Sequence, residues 1–129
     1  MTERRRISSG GHWEPRYGYS RAVVVGDACY VAGTSDAGPD GKARHPGDPE
    51  GQARGILEVI RQVLDEAGFS LADVVRTRMY ITDAAHADAV GRVHGEFFGD
   101  VRPASAMIVM VGLVDPSLLV EIEVDAVRS

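Results

Sequence analysis

The stretch "AMIVMVGL", residues 106–113, is the feature that most restricts the fold of this 129-residue chain. Apolar residues occupy both sets of alternating positions in it. This pattern is typical of a β-strand that is covered on both faces of its sheet. The stretch therefore predicts a sheet in which both faces are covered.

Local patterns predict the elements before this strand. Two β-rich runs flank Gly26 and Asp27 within residues 22–32, and a two-residue Gly-Asp loop between such runs is typical of a hairpin. The Gly-, Pro- and Asp-rich residues 34–51 predict a surface loop. A helix is predicted next, because apolar residues recur at three- and four-residue spacing and Gly68 follows as a C-terminal cap. These apolar residues are Ala53, Ile56, Leu57, Ile60, Val63, Leu64 and Ala67.

The second half of the chain predicts a strand, a helix and two more strands. Residues 73–82 alternate with the period of a strand, and Asp83 is expected to cap the next helix. The apolar stripe of that helix comprises Ala87, Val90, Val93, Phe97 and Phe98. Strands are predicted at about residues 105–111 and 119–127, separated by the "VDPS" turn at residues 114–117.

The predicted order is β-β-α-β-α-β-β. Two helices can cover only one face of a five-stranded sheet, so the other face of the doubly apolar strand needs cover from another subunit. The sequence therefore predicts a homo-oligomer, with a cleft between subunits as the place for a binding site.

Length and composition exclude several classes of protein. The 129 residues fit one domain, and no apolar run approaches the roughly 20 residues of a bilayer-spanning helix. A net charge of −5 and 14 thinly spread Lys and Arg argue against a nucleic-acid surface. The start of the chain has no apolar stretch typical of a secretory signal, so we expect a cytoplasmic protein. We also expect residues 1–12, with "RRR" at residues 4–6, to be a flexible, solvated segment.

Cysteine and histidine give no sign of a metal site. Cys29 is the single cysteine, which excludes an internal disulfide, and no Cys/His cluster has zinc-site spacing. The histidines have no visible partners in the sequence, and we expect them to lie at the surface or in satisfied environments. They are His12, His45, His86 and His94.

The order of elements and four local stretches together resemble the Rid family, also called YjgF or L-PSP proteins, the reactive-intermediate deaminases. The stretches are "GYSRAVVVGDACYVAGT" (18–34), "VVRTRMYITD" (74–83), "EFFGDVRPA" (96–104) and "LVEIEVDAV" (119–127). The resemblance covers nearly the whole chain as one domain, residues 1–129. It implies a chorismate-mutase-like α+β fold and a homotrimer with inward-facing sheets and three intersubunit clefts. It further implies hydrolysis of short-lived enamines or imines without a metal or organic cofactor.

The same resemblance draws attention to Ser105. Family deaminases have an arginine after Pro-Ala that grips the substrate carboxylate, whereas "RPASA" places Ser105 there. Arg102 lies on the wrong side of Pro103 to replace it. A serine hydroxyl is a neutral donor, so a carboxylate ligand should bind about 10–100-fold more weakly. Arg21 and Arg78 are possible replacement anchors or simply exposed strand arginines.

Glu121 is the candidate catalytic residue. It shares one strand face with Glu123 and Asp125, which favours a solvated acidic face for those two. The resemblance places Glu121 at the family's acid, which positions or activates water. We expect apolar Met107 to lie near Glu121 and help to raise the pKa of its carboxyl.

The remaining candidates are substrate-binding residues implied by the resemblance. Tyr19 matches the family's aromatic cleft residue, and the backbone of Ala32 and Gly33 matches its carbonyl and amide contacts. An ordinary edge-strand tyrosine is the alternative for Tyr19. Trp13 and Glu14 would line or cover the cleft, or Trp13 would be a packing anchor.

The sequence is compatible with three functions. The first is a homotrimeric Rid-type hydrolase of a small imine or enamine, with a specificity altered by Ser105. The second is a trimer that binds a metabolite without turning it over. The third, an endoribonuclease, fits poorly with the acidic composition and the absence of a His/Lys constellation from the sequence.

Overall fold

The computed structural model describes residues 3–129, which form a six-stranded mixed sheet, two long helices and a single-turn helix. Short 3-10 turns lie at Leu71–Asp73 and Ala84–His86. The main elements are β1 (Arg4–Ile7), α1 (Glu14–Tyr17), β2 (Ala22–Val25), β3 (Ala28–Ser35), α2 (Pro49–Ala67), β4 (Val74–Ile81), α3 (Ala87–Phe98), β5 (Ala104–Val109) and β6 (Val120–Val127).

The strands lie in the order β1-β2-β3-β6-β4-β5. Neighbouring strands are antiparallel except for β4 and β5, which are parallel. The last strand of the chain, β6, therefore lies between β3 and β4, whereas β5 forms an edge of the sheet. Strand β6 thus has a neighbouring strand on each side, whereas β5 has a neighbouring strand on one side only.

The predicted order of elements is confirmed, with β1 and α1 added in front of it. Gly26 takes a positive φ of 59° in the β2–β3 hairpin, where Val25 pairs with Ala28. The side chain of Asp48 accepts a hydrogen bond from the Gly51 amide at the start of α2. Gly68 ends that helix in the left-handed conformation, as its position in the sequence predicts.

The second helix starts later than Asp83 predicts. Asp83 accepts a hydrogen bond from the Ala85 amide at 2.8 Å and so caps the 3-10 turn, after which α3 begins at Ala87. Three members of the predicted stripe, Val90, Val93 and Phe98, are buried.

The first strand corrects the expectation of a flexible N-terminal segment for residues 4–7, whereas residues 1 and 2 of the predicted segment 1–12 lie outside the described residues. Residues Arg4–Ile7 pair with Ala22–Val25, and Ile7 is buried beneath the sheet edge. The Arg5 guanidinium donates a hydrogen bond to the Ala67 carbonyl at 2.7 Å, which ties β1 to the end of α2. The three arginines are exposed, so their side chains are solvated although their backbone is held in the sheet.

Helices α2 and α3 pack together and cover one face of the sheet. On β6 the residues that face the helices are fully buried and their neighbours are only partly buried. The described part of the chain therefore has one core, between the helices and the sheet, and an opposite open face that carries polar side chains. The largest core residues are Phe98, Ile56, Leu57, Ile60, Leu64, Ile81 and Ile122.

Burial of "AMIVMVGL" on both faces is not achieved within one subunit. The strand is β5, at the sheet edge, and Ile108 and Val109 remain 40% and 55% exposed. Met110 and Val111 just beyond it are exposed as well. The apolar edge formed by residues 108–111 is therefore open to a second polypeptide. No helix of residues 3–129 has the length and apolar character required to cross a membrane.

Candidate functional site

Glu121 lies on the open face of the sheet, in the middle of the molecule. It pairs with Ser35 on β3 and with Tyr80 on β4. Its carboxylate lies over Gly33, so close that a β-carbon on that glycine would be 2.6 Å from Oε2. Glycine at position 33 therefore makes the space in which the Glu121 carboxylate rests.

The Glu121 carboxylate has an altered acidity. Burial raises its pKa above the ordinary value, the Arg21 charge opposes this rise, and Glu123 adds to it. Within residues 3–129 no group hydrogen-bonds to the carboxylate. A half-buried carboxylate with a raised pKa and unused oxygens is suited to exchange a proton with a bound water.

A bulge in β3 shapes the floor beside this carboxylate. The pairing of β3 with β6 shifts between Val31 and Thr34, so Ala32 and Gly33 bulge from the ladder. The Ala32 amide donates to the Arg21 carbonyl at 2.9 Å, and the Ala32 carbonyl accepts from the Thr34 hydroxyl at 2.8 Å. These Ala32 groups, predicted to contact substrate, are thus used to hold the bulge.

Arg21 is buried beside the bulge. Its guanidinium donates to the Gly33 carbonyl at 2.6 Å and to the Thr34 hydroxyl at 3.0 Å. It lies 3.5 Å from the Glu14 carboxylate and contacts the Tyr19 hydroxyl at 3.4 Å. Arg21 thus lies beside Gly33 and Tyr19, two other predicted substrate-binding residues, and its charge is already paired.

Glu14 is the partner that neutralises Arg21, rather than a free cleft residue. Its carboxylate accepts hydrogen bonds from the Ser8 and Ser9 hydroxyls and from the Gly11 amide at 2.7–3.1 Å. Burial alone would raise the pKa of Glu14, but these bonds and the Arg21 charge outweigh it and leave the pKa lowered. Glu14 is therefore an ionised anchor for the N-terminal segment.

Trp13 lines a cavity of about 440 Å³ between the N-terminal segment, the loop after β3 and α2. Tyr19 and Arg21 line the same cavity, and His12 packs edge-on against Trp13 at 5.2 Å between ring centroids. Glu121 is not among the lining residues. The structure thus brings Trp13, Tyr19 and Arg21 together but places the catalytic candidate outside their cavity.

A second, more open depression of about 460 Å³ lies on the open face. Tyr19 and Ala32 line it together with Arg78, Glu123 and Asp125. Arg78 lies 3.5 Å from the carboxylates of both acids, and the Tyr80 hydroxyl donates to Glu123 at 2.9 Å. Like Arg21, Arg78 is paired within the subunit, and the two acids form an ion-paired face instead of a simply solvated one.

Ser105 and Met107 lie on the other face of the sheet from Glu121. Ser105 pairs with Thr77, which is fully buried on the helix side, and Met107 approaches Gly91 of α3. The expectation that Met107 lies near Glu121 is therefore wrong within one subunit. Burial by the sheet, together with Glu123, raises the pKa of Glu121.

Sequence reasoning missed two residues beside Ser105. The Thr77 hydroxyl donates to Ser105 Oγ at 2.8 Å and lies 2.9 Å from His94 Nε2. His94 thus has a partner that its sequence context does not reveal. The one sign of this contact in the sequence is Thr77, a polar residue that shares the apolar face of β4 and so needs a hydrogen-bonding partner.

Two other histidines also have partners. His45 Nδ1 lies 3.0 Å from the buried carboxylate of Asp36, and His12 Nδ1 lies 2.9 Å from the Pro39 carbonyl. Among residues 3–129, no three His, Cys, Asp or Glu side chains are grouped closely enough to share a metal ion.

The fold and site define a small α+β protein with a half-buried carboxylate over a bulged strand and an open apolar sheet edge. Residues 11–128 match the family Endoribonuclease L-PSP. A Streptomyces coelicolor protein is 38% identical over 96% of this chain and 92% of its own length.

Solved structures agree with this match. Rv2704 of Mycobacterium tuberculosis, a member of the YjgF/YER057c/UK114 family, is 44% identical, with a TM-score of 0.88 over 98% of this chain and all of its own. The Rid protein YyfA of Yersinia pestis is 28% identical, with a TM-score of 0.85 over 98% of this chain and all of its own. The chain belongs to the YjgF/L-PSP family, also called the Rid family, as its sequence motifs predict.

Proposed function

We propose that this protein hydrolyses a small imine or enamine to the corresponding carbonyl compound and ammonia, without a metal or organic cofactor. The observation that carries the proposal is the Glu121 carboxylate, which is half-buried, raised in pKa and free of hydrogen bonds within residues 3–129. We place the activity in the cytoplasm, where an unpaired cysteine such as Cys29 is ordinary.

The chemistry requires one group that can both take and return a proton. Glu121 accepts a proton from water as the water oxygen bonds to the imine carbon, and it returns this proton to the imine nitrogen to give a carbinolamine. Glu121 then takes the hydroxyl proton of the carbinolamine and passes it to the nitrogen, so that the C–N bond breaks and ammonia leaves the carbonyl product. An enamine enters the same sequence after it tautomerises to the imine. A raised carboxyl pKa favours both directions of this exchange near neutral pH.

The site needs a second copy of the chain. Glu121 and Ser105 lie on opposite faces of one sheet, so a cleft that contains both requires Ser105 from a neighbouring subunit. The exposed apolar edge at residues 108–111, next to Ser105, is a surface through which such a neighbour could bind. We propose a homotrimer with three such clefts, the arrangement that the family resemblance implies.

Ser105 sets the specificity in this proposal. A neutral hydroxyl replaces a cation, and both alternative arginines, Arg21 and Arg78, are paired with acids. A substrate carboxylate therefore has no free cation to meet on any of these residues. We expect substrates that depend less on a carboxylate than those of arginine-containing relatives.

Hydrolysis of freshly generated 2-iminopropionate and its amide, 2-iminopropionamide, tests the activity. Ammonia release should be accelerated by the wild type and fall about 10²–10⁴-fold in Glu121→Gln, as expected for loss of a general acid–base. Glu58→Gln, on the exposed surface of α2, is the matched control and should retain full activity. Equal rates in wild type and Glu121→Gln would refute the proposal.

The alternative is a trimer that binds a metabolite without chemistry. The pairing of Arg21 with Glu14 favours it, because residues 3–129 offer no unpaired cation beside Glu121 to orient an anionic substrate. This alternative predicts saturable binding of pyruvate or pyruvamide with no acceleration of imine hydrolysis. Binding measured by NMR titration beside the ammonia assay separates the two functions.

A further inference from the structure

Ser105 is the outer end of a line of three hydrogen-bonding side chains. Its Oγ lies 2.8 Å from the Thr77 hydroxyl, which lies 2.9 Å from Nε2 of His94. Ser105 is exposed at the sheet edge, Thr77 is fully buried, and His94 is partly buried on α3. The line thus runs from α3, along the helix side of the sheet, to the exposed edge strand at Ser105, where the ligand contact is proposed.

The hydrogen bond from Thr77 to Ser105 gives this line a direction. The Thr77 hydroxyl has one hydrogen and donates it to Ser105 Oγ. With Thr77 as the donor to Ser105, a hydrogen on His94 Nε2 completes the line, in the tautomer that protonates this nitrogen. Ser105 keeps its own hydrogen for an outward bond, so it faces the solvent as a donor.

This donor is strengthened but uncharged. Each bond in the line polarises the next, which makes the terminal hydroxyl a better donor than an isolated serine. Burial lowers the pKa of His94, so the ring is neutral at neutral pH. Ala104, Ala106 and Met107 flank Ser105 on its strand and add no charge.

The electrostatics disfavour a carboxylate at this point. An anion placed in a cleft near Glu121 meets a second negative charge, and the neutral line from Ser105 to His94 does not compensate it. A neutral carbonyl oxygen accepts the same hydrogen bond without this repulsion. The neutral Ser105 hydroxyl therefore favours an uncharged carbonyl oxygen, whereas an arginine at this position would favour a carboxylate.

We propose that Ser105, positioned by Thr77 and His94, is the ligand-contacting donor that selects an uncharged carbonyl group, as in an amide, ester or ketone, in place of a carboxylate. The inference deepens the proposed function by naming the substrate class of the same site. Ser105 contacts the ligand, and Thr77 and His94 are positioning residues that act through it.

Equilibrium binding of pyruvate and pyruvamide tests this without any need for turnover. The two probes differ only in that one carboxylate oxygen of pyruvate is an NH2 group in pyruvamide. NMR titration of the intact protein measures millimolar affinities. We expect wild type to bind pyruvamide about 10-fold more tightly than pyruvate. Ser105→Ala should lose about 10-fold in pyruvamide affinity, the loss of one hydrogen bond, and Ser105→Arg should reverse the preference.

Variants of Thr77 separate positioning from folding. Thr77→Val keeps the shape but breaks the line, and it should weaken pyruvamide binding about 3–10-fold and shift the ring-nitrogen NMR signals of His94. Thr77→Ser restores the hydroxyl and should restore both the affinity and the signals. A change in pyruvamide affinity that the serine variant does not rescue would overturn the positioning role.

The outcomes distinguish this inference from the proposed function. Selective binding of pyruvamide without acceleration of imine hydrolysis would leave the inference standing and remove the enzyme. Turnover of both imines, together with equal affinity for pyruvate and pyruvamide, would support the enzyme and overturn the inference about Ser105. A preference for pyruvate in the wild type, or no binding of either probe at tens of millimolar, would overturn the inference.

Discussion

The Glu121 carboxylate occupies the space above Gly33 that a side chain at position 33 would need. An ideal β-carbon on Gly33 would lie 2.6 Å from Glu121 Oε2 and 3.0 Å from Cδ. The two residues come from neighbouring strands, β3 and β6, and the β3 bulge brings them together. Because glycine has no side chain, position 33 leaves room for the Glu121 carboxylate to rest there.

Gly33→Ala should impair function more than stability. The atoms that must move are the far end of the Glu121 side chain, and φ at Gly33 is not in the left-handed region, so the fold should lose no more than about 1 kcal/mol. Displacement of the carboxylate by about 1 Å should lower kcat/KM for imine hydrolysis about 10²-fold. Steady-state kinetics and thermal denaturation measure the two effects.

Gly95→Ala is the matched control for this substitution. A β-carbon on Gly95 has open space around it, and the residue lies in α3. Alanine there should stabilise the protein by about 0.5–1 kcal/mol and leave hydrolysis unchanged. Wild-type kinetics in Gly33→Ala would show that the position of Glu121 does not govern the reaction.

Glu121→Gln should change how stability depends on pH. Burial raises the carboxyl pKa of Glu121, so the folded state holds this proton more tightly than the unfolded state does. The wild type is then relatively more stable when the group is protonated, and it loses this advantage as pH rises from the ordinary value of 4.5 through the raised one. Glutamine does not ionise and removes the loss.

Melting temperatures measured across pH 4 to 8 test this sign. The melting temperature of Glu121→Gln relative to wild type should rise through the window just above the ordinary carboxyl pKa. Glu58→Gln, at an exposed site, should show no such trend. A difference that stays constant with pH would mean that the folded protein does not perturb the ionisation of Glu121.

Glu14→Gln should be strongly destabilising. The Glu14 and Arg21 side chains are 4% and 7% exposed, so removal of the anion leaves a buried guanidinium without its partner. A change of this kind costs about 3–5 kcal/mol. Urea denaturation at neutral pH measures it, with Glu96→Gln, an exposed partner of Arg54, expected to cost no more than about 1 kcal/mol.

The cost of Glu14→Gln should itself depend on pH. The pKa of Glu14 lies below its ordinary value, since hydrogen bonds and Arg21 outweigh the opposing effect of burial. Its contribution is present above the ordinary pKa and is lost as pH falls through the lowered one. The two proteins should therefore become more alike in stability under acid conditions, and a gap that widens there would contradict the assignment.

Local signals in the sequence explain why most of the fold could be predicted. The Gly26-Asp27 hairpin and the helix that ends at Gly68 each depend on residues close together in the chain, and both were predicted. Strand β1 was missed because its exposed arginines resemble a solvated tail. Its pairing with β2 joins residues that are not close together in the chain, such as Ile7 and Ala22.

The candidate site was predictable only in part, because strand alternation does not say which face of a sheet the helices cover. The family resemblance pointed to Glu121, Gly33 and Ser105, and alternation correctly placed Glu121 opposite Ile122 on β6. Ser105 faces the helix side because it pairs with Thr77, where β5 runs parallel to β4. No local pattern in the sequence reveals this pairing. The ion pairs that engage Arg21 are equally non-local.

Val109→Lys should weaken subunit association. Val109 lies in the apolar edge of residues 108–111 and is 55% exposed in the isolated subunit. A lysine on an edge strand opposes pairing or packing with a second copy. Light scattering should show a trimer for the wild type and smaller species for Val109→Lys at micromolar concentration, with circular dichroism unchanged.

Glu58→Lys provides the control for association. Glu58 is exposed on α2, on the helix side of the sheet and outside the apolar edge of residues 108–111. It should remain trimeric. A monomeric wild type would remove the proposed trimer, and a trimer that survives Val109→Lys would place the interface elsewhere.

Mixing of two impaired variants tests whether one site draws on two subunits. Within a subunit Glu121 and Ser105 lie on opposite faces of the sheet, so we expect each cleft to join Glu121 of one copy to Ser105 of the next. Glu121→Gln and Ser105→Ala trimers, dissociated and reassembled together, should contain some clefts with both native residues. The mixture should hydrolyse the imine faster than the average of the separate variants, whereas a site confined to one subunit would give only that average.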